Sequence, residues 1–166
     1  MTAGATNRIL AYRRLLFIAG LVFALDQASK AWIEARLPYG TYGPGSIRVV
    51  RGFLYLVHVG NTGAAWSLFR GSSVPLAVLA AATLAAIVLW RRALGLAEPA
   101  VQTCFGLLCG GIAGNLADRL RLGHVVDFID VHFGAWAYPT FNVADSGICI
   151  GVALYLLHSL RPRGAS

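Results

Sequence analysis

Apolar residues fall into four long stretches, at about Leu15–Ala35, Val74–Trp90, Ala100–Ala117 and Phe141–Leu160, separated by polar connections rich in glycine and proline. Crossing roughly 30 Å of hydrocarbon takes about 20 helical residues. The pattern therefore predicts an all-α membrane protein with four transmembrane helices. The second and third stretches carry no charge, whereas the first and fourth hold Asp26, Lys30 and Asp145. A charge at the bilayer centre costs several kcal/mol, so these two helices should turn those residues toward a protein interior. Arg13-Arg14 followed by Leu15–Leu25 also has the outline of a secretory signal peptide. Asp26, Gln27 and Lys30 stand where its cleavage site should be, so the first stretch reads as a retained helix.

The connection over residues 36–73 is broken by Pro38, Gly40, Gly43, Pro44 and Gly45. Ile47–Val59 is then rich in Val, Ile, Phe and Tyr between glycines, which predicts one or two strands. A small extracytoplasmic β-sheet and loop follow from this, with a short amphipathic turn around Trp66–Phe69. Trp66, Phe69 and Trp136 suit the aromatic belt at a membrane interface. The N-terminus (Arg8, Arg13, Arg14), the link with Arg91-Arg92 and the tail (Arg161, Arg163) hold seven basic residues, and the two longer connections, near 36–73 and 119–140, hold six. Basic residues concentrate on the cytoplasmic side, which puts both termini inside. At helical rise Lys30 lies about 24 Å from Arg14, Asn115 and Asp118 about 23–27 Å into the third helix, and Asp145 about 24 Å from Arg161. Three helices thus deliver polar residues to one level, just under the outer surface.

Composition agrees with this picture. The 166 residues are 57% hydrophobic and 13% charged, with a mean hydropathy of +0.65, which excludes a soluble globular domain. There is room for a single integral-membrane domain over residues 1–166. A net charge of +7 would suit nucleic acid, but the basic residues sit at the ends of apolar runs and form no stripe, so no nucleic-acid partner is expected. Cys104, Cys109 and Cys149 all fall in apolar stretches and read as buried, reduced thiols. On that basis activity should be indifferent to thiol reagents.

The polar clusters carry the chemistry. Asp26 and Lys30, at i and i+4, share a helix face and can neutralise each other. Gly106, Gly110 and Gly114, with Gly111 beside them, form a small-residue ridge that lets helices approach closely in lipid. Asn115, Asp118 and Arg119 share the face that follows, with Asp118 and Arg119 read as an ion pair. Asn142 lies one turn before Asp145, close enough for its amide to fix the carboxylate. Asp127 precedes Asp145 by eighteen residues, on a connection that can double back. His124, Asp127, Asp130 and His132 are conceivable metal ligands, but they follow no ligand spacing. Ser146-Gly147 lacks the context of a nucleophilic serine. A proton-coupled transporter using Asp26, Asp118 and Asp145, or a scaffold using the glycine ridge, are the alternatives from other classes; either leaves most of the clusters idle.

The ordered set Asp26-Gln-Ala-Ser-Lys30, Asn61-Thr-Gly-Ala-Ala-Trp66, Gly110-Gly-Ile-Ala-Gly-Asn-Leu-Ala-Asp-Arg119, Val126-Asp-Phe-Ile-Asp130 and Phe141-Asn-Val-Ala-Asp145 resembles the bacterial lipoprotein signal peptidase family, signal peptidase II, from about residue 14 to 160. The resemblance implies an aspartic endopeptidase that cuts prolipoproteins before a diacylglyceryl-modified cysteine. Asp127 and Asp145 match the family's catalytic pair. Asn61 with Gly63, Asn115, Arg119 and Asn142 match the residues that line and orient the site, with Asp26 and Lys30 in a supporting network. Asp118 is a third carboxylate that its pairing assigns to structure. No metal or cofactor is implied. The expected partners are diacylated prolipoproteins and membrane lipids. The expected state is a monomer in the bacterial inner membrane, with the active site near the outer face and the segment Gly40–Arg70 closing over substrate.

Overall fold

The computed structural model describes residues 11–63, 69 and 71–160. Each apolar stretch forms a helix: α1 (Arg13–Arg36), α2 (Ser73–Leu89), α3 (Pro99–Leu122) and α4 (Val143–Ser159). Helices α1 and α3 are long and apolar enough to cross a membrane, while α2 and α4, at 17 residues each, are apolar but shorter. Arg8, Trp66, Arg161 and Arg163 lie outside the described residues, as does all of the expected amphipathic turn except exposed Phe69.

Helix α3 is the centre of the molecule, with α1 and α4 packed on two of its faces. Pro99 opens it, where a missing N–H costs nothing. Gly123, at φ 76°, closes it in the left-handed conformation that glycine adopts without strain. It runs five residues beyond the expected end at Ala117, so Asn115, Asp118 and Arg119 remain helical neighbours. The glycine ridge is a two-sided seam. A methyl group added at Gly110 would lie 2.6 Å from the Ala19 carbonyl oxygen of α1, and one at Gly111 would collide with the Ala144 carbonyl of α4. From the opposite side, Gly151 of α4 sits where a methyl would lie 2.6 Å from the Cys104 carbonyl oxygen. Small residues on both helices bring the backbones into contact, which drives association in the absence of a hydrophobic force.

The sheet is larger than expected. Strands β1 (Ile47–Val50), β2 (Leu54–Asn61), β3 (Val125–Phe133) and β4 (Trp136–Ala137) form one antiparallel sheet in that order. The connection read as a loop over 119–140 therefore supplies two strands. Asn61 pairs with Val125 and Val59 with Asp127 across β2 and β3. Val126 and Phe128 pack with Ile33 of α1 and with Leu37 just beyond it, fixing the sheet to the end of that helix. The chain does double back after β4: Ile129 and Phe141 exchange backbone hydrogen bonds of 2.8 and 3.1 Å. That exchange sets the start of α4 beside the middle of β3.

The cysteines divide. Cys104 is buried and Cys109 half-buried, but Cys149 is exposed one turn beyond Asp145. Burial therefore gives no ground for indifference to thiol reagents.

Candidate active site

Five elements meet at one end of the helices. Helix α1 contributes Asp26, Gln27 and Lys30, α3 contributes Asn115, Asp118 and Arg119, and α4 contributes Asp145 with Asn142 as its cap. Strands β2 and β3 bring Asn61 and Asp127.

Lys30 is fully buried, and its three N–H donors have three acceptors. These are Asp26 Oδ2 at 2.8 Å, Asp118 Oδ2 at 2.8 Å and Asn115 Oδ1 at 3.0 Å. Removing water from charges is costly unless every group finds a partner, and here each does. The second oxygen of Asp26 accepts the Ala144 backbone N–H at 2.9 Å, and Asp118 accepts the Val126 N–H at 3.1 Å. Gln27 bridges the two carboxylates at 3.1 and 3.0 Å. Ala144 immediately precedes Asp145, and Val126 immediately precedes Asp127. The buried charge cluster thus grips the backbone one residue ahead of each aspartate. Gly114 lacks the side chain that would fill the space of the Asp26 carboxylate.

The expected Asp118–Arg119 ion pair does not form. Adjacent positions on a helix point different ways, so Asp118 turns inward to Lys30, whereas Arg119 donates to the Gly63 carbonyl at 2.9 Å and to the Asn115 carbonyl at 3.4 Å. Arg119 therefore ties α3 to the segment after β2. The Asn142 amide also differs from expectation. Its Nδ2 donates to Asp127 Oδ1 at 2.8 Å rather than to Asp145. Asp145 is instead held by a capping box, in which the Asn142 side chain accepts the Asp145 N–H at 2.9 Å and Asp145 Oδ2 accepts the Asn142 N–H at 3.2 Å.

Each aspartate is held by two donors. Asp127 Oδ2 accepts from Asn61 Nδ2 at 2.9 Å, complementing the Asn142 bond on its other oxygen. Asp145 Oδ1 accepts from Asn115 Nδ2 at 2.7 Å. Lysine has no acceptor atom, so Lys30 obliges the Asn115 oxygen to face it, and that leaves the Asn115 amide nitrogen for Asp145. Asn61 is steadied in turn by the Gly63 N–H, which donates to its oxygen at 2.9 Å. Burial and then the neighbouring Asp145 push the Asp127 carboxyl from 3.8 up to about 7, with the amides of Asn61 and Asn142 pulling the other way.

Both aspartates open on a cleft of about 1000 Å³ that Asn61, Gly63, Asn115 and Arg119 also line. Its walls are Tyr39, Gly40 and Tyr42 on one side and residues 137–141 on the other, while Ile148 and Cys149 of α4 extend it along the helices. Nothing in the sequence pattern points to Tyr39, which leans on His58 and His124 with ring centroids 5.5 and 5.3 Å away. Gln27 was signalled only as a polar residue inside an apolar stretch. The histidines and acids weighed as metal ligands do not converge: Asp130 pairs with His132 at 2.7 Å and lies 3.4 Å from the Tyr42 hydroxyl. Among the described residues no three His, Cys, Asp or Glu side chains are grouped to hold a metal ion.

A family model described as Signal peptidase (SPase) II matches residues 18–161. The lipoprotein signal peptidase of Nitratidesulfovibrio vulgaris (strain DP4) is 39% identical over 151 residues, covering 87% of this chain and 88% of that protein. That of Aeromonas hydrophila is 40% identical over 152 residues, with 89% of each chain covered. A solved structure described as a bacterial membrane enzyme, determined by the in meso method, superposes with a TM-score of 0.80 at 30% identity, covering 92% of this chain and 93% of that one. A second of the same description gives 0.77 at 33% identity over 89% and 93%. Matched by that family model over most of its length and by relatives of 39% and 40% identity, the chain belongs to the signal peptidase II family.

Proposed function

We propose that this chain is an aspartic endopeptidase of the bacterial inner membrane that removes signal peptides from prolipoproteins, cutting on the N-terminal side of the diacylglyceryl-modified cysteine. One observation carries the aspartic assignment. Of the four aspartates around the cleft, Asp26 and Asp118 are neutralised by Lys30, while Asp127 and Asp145 face the cleft with amide donors and no ion-pair partner among the described residues. Two neighbouring carboxyls cannot both ionise cheaply, so they share a proton near neutral pH. The ionised member takes a proton from water as the water oxygen attacks the scissile carbonyl carbon. The protonated member donates to the carbonyl oxygen. Collapse of the tetrahedral intermediate then breaks the C–N bond as the proton held by the dyad passes to the leaving amine and a hydroxyl proton of the intermediate returns to the other carboxylate, restoring the shared proton. Asn61, Asn115, Arg119 and Asn142 orient the pair; Asp26, Lys30 and Asp118 hold the backbones that carry it.

All four helices are proposed to span the membrane as one domain over residues 1–166, with both termini cytoplasmic, the cleft near the outer face and the protein monomeric. Large apolar side chains such as Val74, Leu79 and Leu89 of α2 and Ile150 and Leu157 of α4 are more than half exposed. A surface of that kind calls for lipid rather than water. A lipid-anchored substrate would present its scissile bond at the level of the dyad, and the segment Gly40–Arg70, whose Gly63 carbonyl accepts from Arg119 of α3, is proposed to close over it. The transporter alternative has no support, since the polar residues pool at one end of the helices and the relatives are named as peptidases. The test is cleavage by detergent-purified protein of a diacylated peptide bearing the cleavage sequence, beside its unlipidated twin. Cleavage of the first alone is expected; equal cleavage of both would remove the lipid from recognition.

A further inference from the structure

Helices α1 and α2 each pack near α3 and hardly touch one another among the described residues. The gap between them is a groove of about 600 Å³, separate from the catalytic cleft. Leu15 and Ala19 of α1 and Leu84 and Val88 of α2 form its walls, and Cys109 of α3 lies at its floor. At one end stand Arg91 and Arg92, and no carboxylate lines the groove. Neither arginine is ion-paired among the described residues. Arg91 spends one N–H on the Val88 carbonyl at 2.9 Å, capping the end of α2, and Arg92 is exposed. Two guanidiniums therefore sit at the mouth of an apolar slot with most of their donors unused.

We propose that this groove binds one anionic phospholipid, with its acyl chains between α1 and α2 and its phosphodiester on Arg91 and Arg92. The argument is charge complementarity. A guanidinium presents a planar fork of N–H donors that matches phosphate oxygens, and it is less strongly hydrated than an ammonium. A zwitterionic headgroup would bring its own ammonium against two unpaired cations. The signal peptide of a substrate suits the groove poorly, because such a segment begins with a positively charged region that the arginines repel. Basic pockets between membrane helices on the cytoplasmic side are suited to anionic headgroups. The leaflet follows from the orientation proposed above, but the binding does not depend on it.

The test uses the full chain in detergent, stripped of lipid and then given phosphatidylglycerol or phosphatidylethanolamine with identical acyl chains, with bound lipid counted by native mass spectrometry. One phosphatidylglycerol should be retained on the order of tenfold more strongly than phosphatidylethanolamine, because only the first brings a net negative charge to the two arginines. R91Q/R92Q should erase that preference, and L84W, which fills the slot, should reduce retention of both lipids. Cleavage of the lipidated peptide by the same samples shows that each variant is folded and keeps failure of this site apart from failure of the peptidase assignment. Equal retention of the two lipids, or a preference that survives R91Q/R92Q, overturns the proposal. So does a photo-crosslinker at Leu84 that captures the signal peptide, which would make the groove a substrate path.

Discussion

Asp127 carries most of the chemical information at the scale of single residues. Its carboxyl is raised from 3.8 to about 7 chiefly by burial and secondly by Asp145. A raised carboxyl means that the folded state binds more protons than the unfolded chain between those values, so this group makes stability fall as pH rises from about 4 to 7. Asp127→Asn should flatten that fall, leaving the variant relatively more stable than wild type at pH 8 than at pH 4, as thermal unfolding across pH would read. Wild-type cleavage should also decline as pH rises through about 7, because the pair then loses its shared proton. A wild-type rate that climbs steadily to pH 9 would exclude Asp127 as the titrating member. Asp127, Asp145, Asn61 and Asn115, singled out in the sequence, do line one cleft, but two of the expected partners differ. Helical spacing says which residues share a face; it does not say that Asn142 turns its amide to a strand, or that Asp118 finds Lys30 on another helix.

Among the elements, the helices were legible because a membrane-length apolar run leaves little choice. Strand β3 was not, although Val125–Phe133 is rich in β-branched and aromatic residues and is bounded by Gly123 and Gly134. Its first four residues are all buried, so the alternation that marks a half-exposed strand is missing. Aspartate is depleted in strands, so Asp127 and Asp130 weaken the strand signal further. The glycine seam was legible as a ridge, but not as a contact with two helices at once. Gly110→Val should prevent assembly of α1 on α3, because the added carbons meet the Ala19 backbone and the Val22 Cβ, neither of which can swing away. Gly20→Ala, with nothing within 4 Å of the added carbon, should be tolerated. Detergent-extracted folded protein, measured by size-exclusion and thermal unfolding, checks both, and a Gly110→Val protein as stable as Gly20→Ala would show that the seam is not close-packed.

At the scale of the whole molecule, the charged cluster, the dyad and the sheet gather at one end, while Arg91-Arg92 mark the other. This polarity is what the proposed orientation requires. Cysteines placed at Ser46 and Thr140 should react with an impermeant maleimide in cells whose outer membrane has been permeabilised, and one placed at Ala97 should not. The background is a chain with Cys149 replaced, since that residue is exposed. The reverse pattern would put the cleft at the cytoplasmic face, out of reach of exported substrates. The proposed function divides duties within one cluster of acids: Asp26 and Asp118, paired with Lys30, would position the chain, and Asp127 and Asp145, open to the cleft, would act on the substrate. The most direct test of that division is single-turnover cleavage of a diacylated prolipoprotein peptide by Asp127→Asn, Asp145→Asn and Asp118→Asn proteins of matched folded fraction. An asparagine keeps the shape of aspartate but cannot take up or release the proton, so the first two should lose on the order of 10³-fold or more in rate. The third should lose thermal stability in greater proportion than turnover. Cleavage within about tenfold of wild type by either Asp127→Asn or Asp145→Asn would contradict the assignment of the dyad.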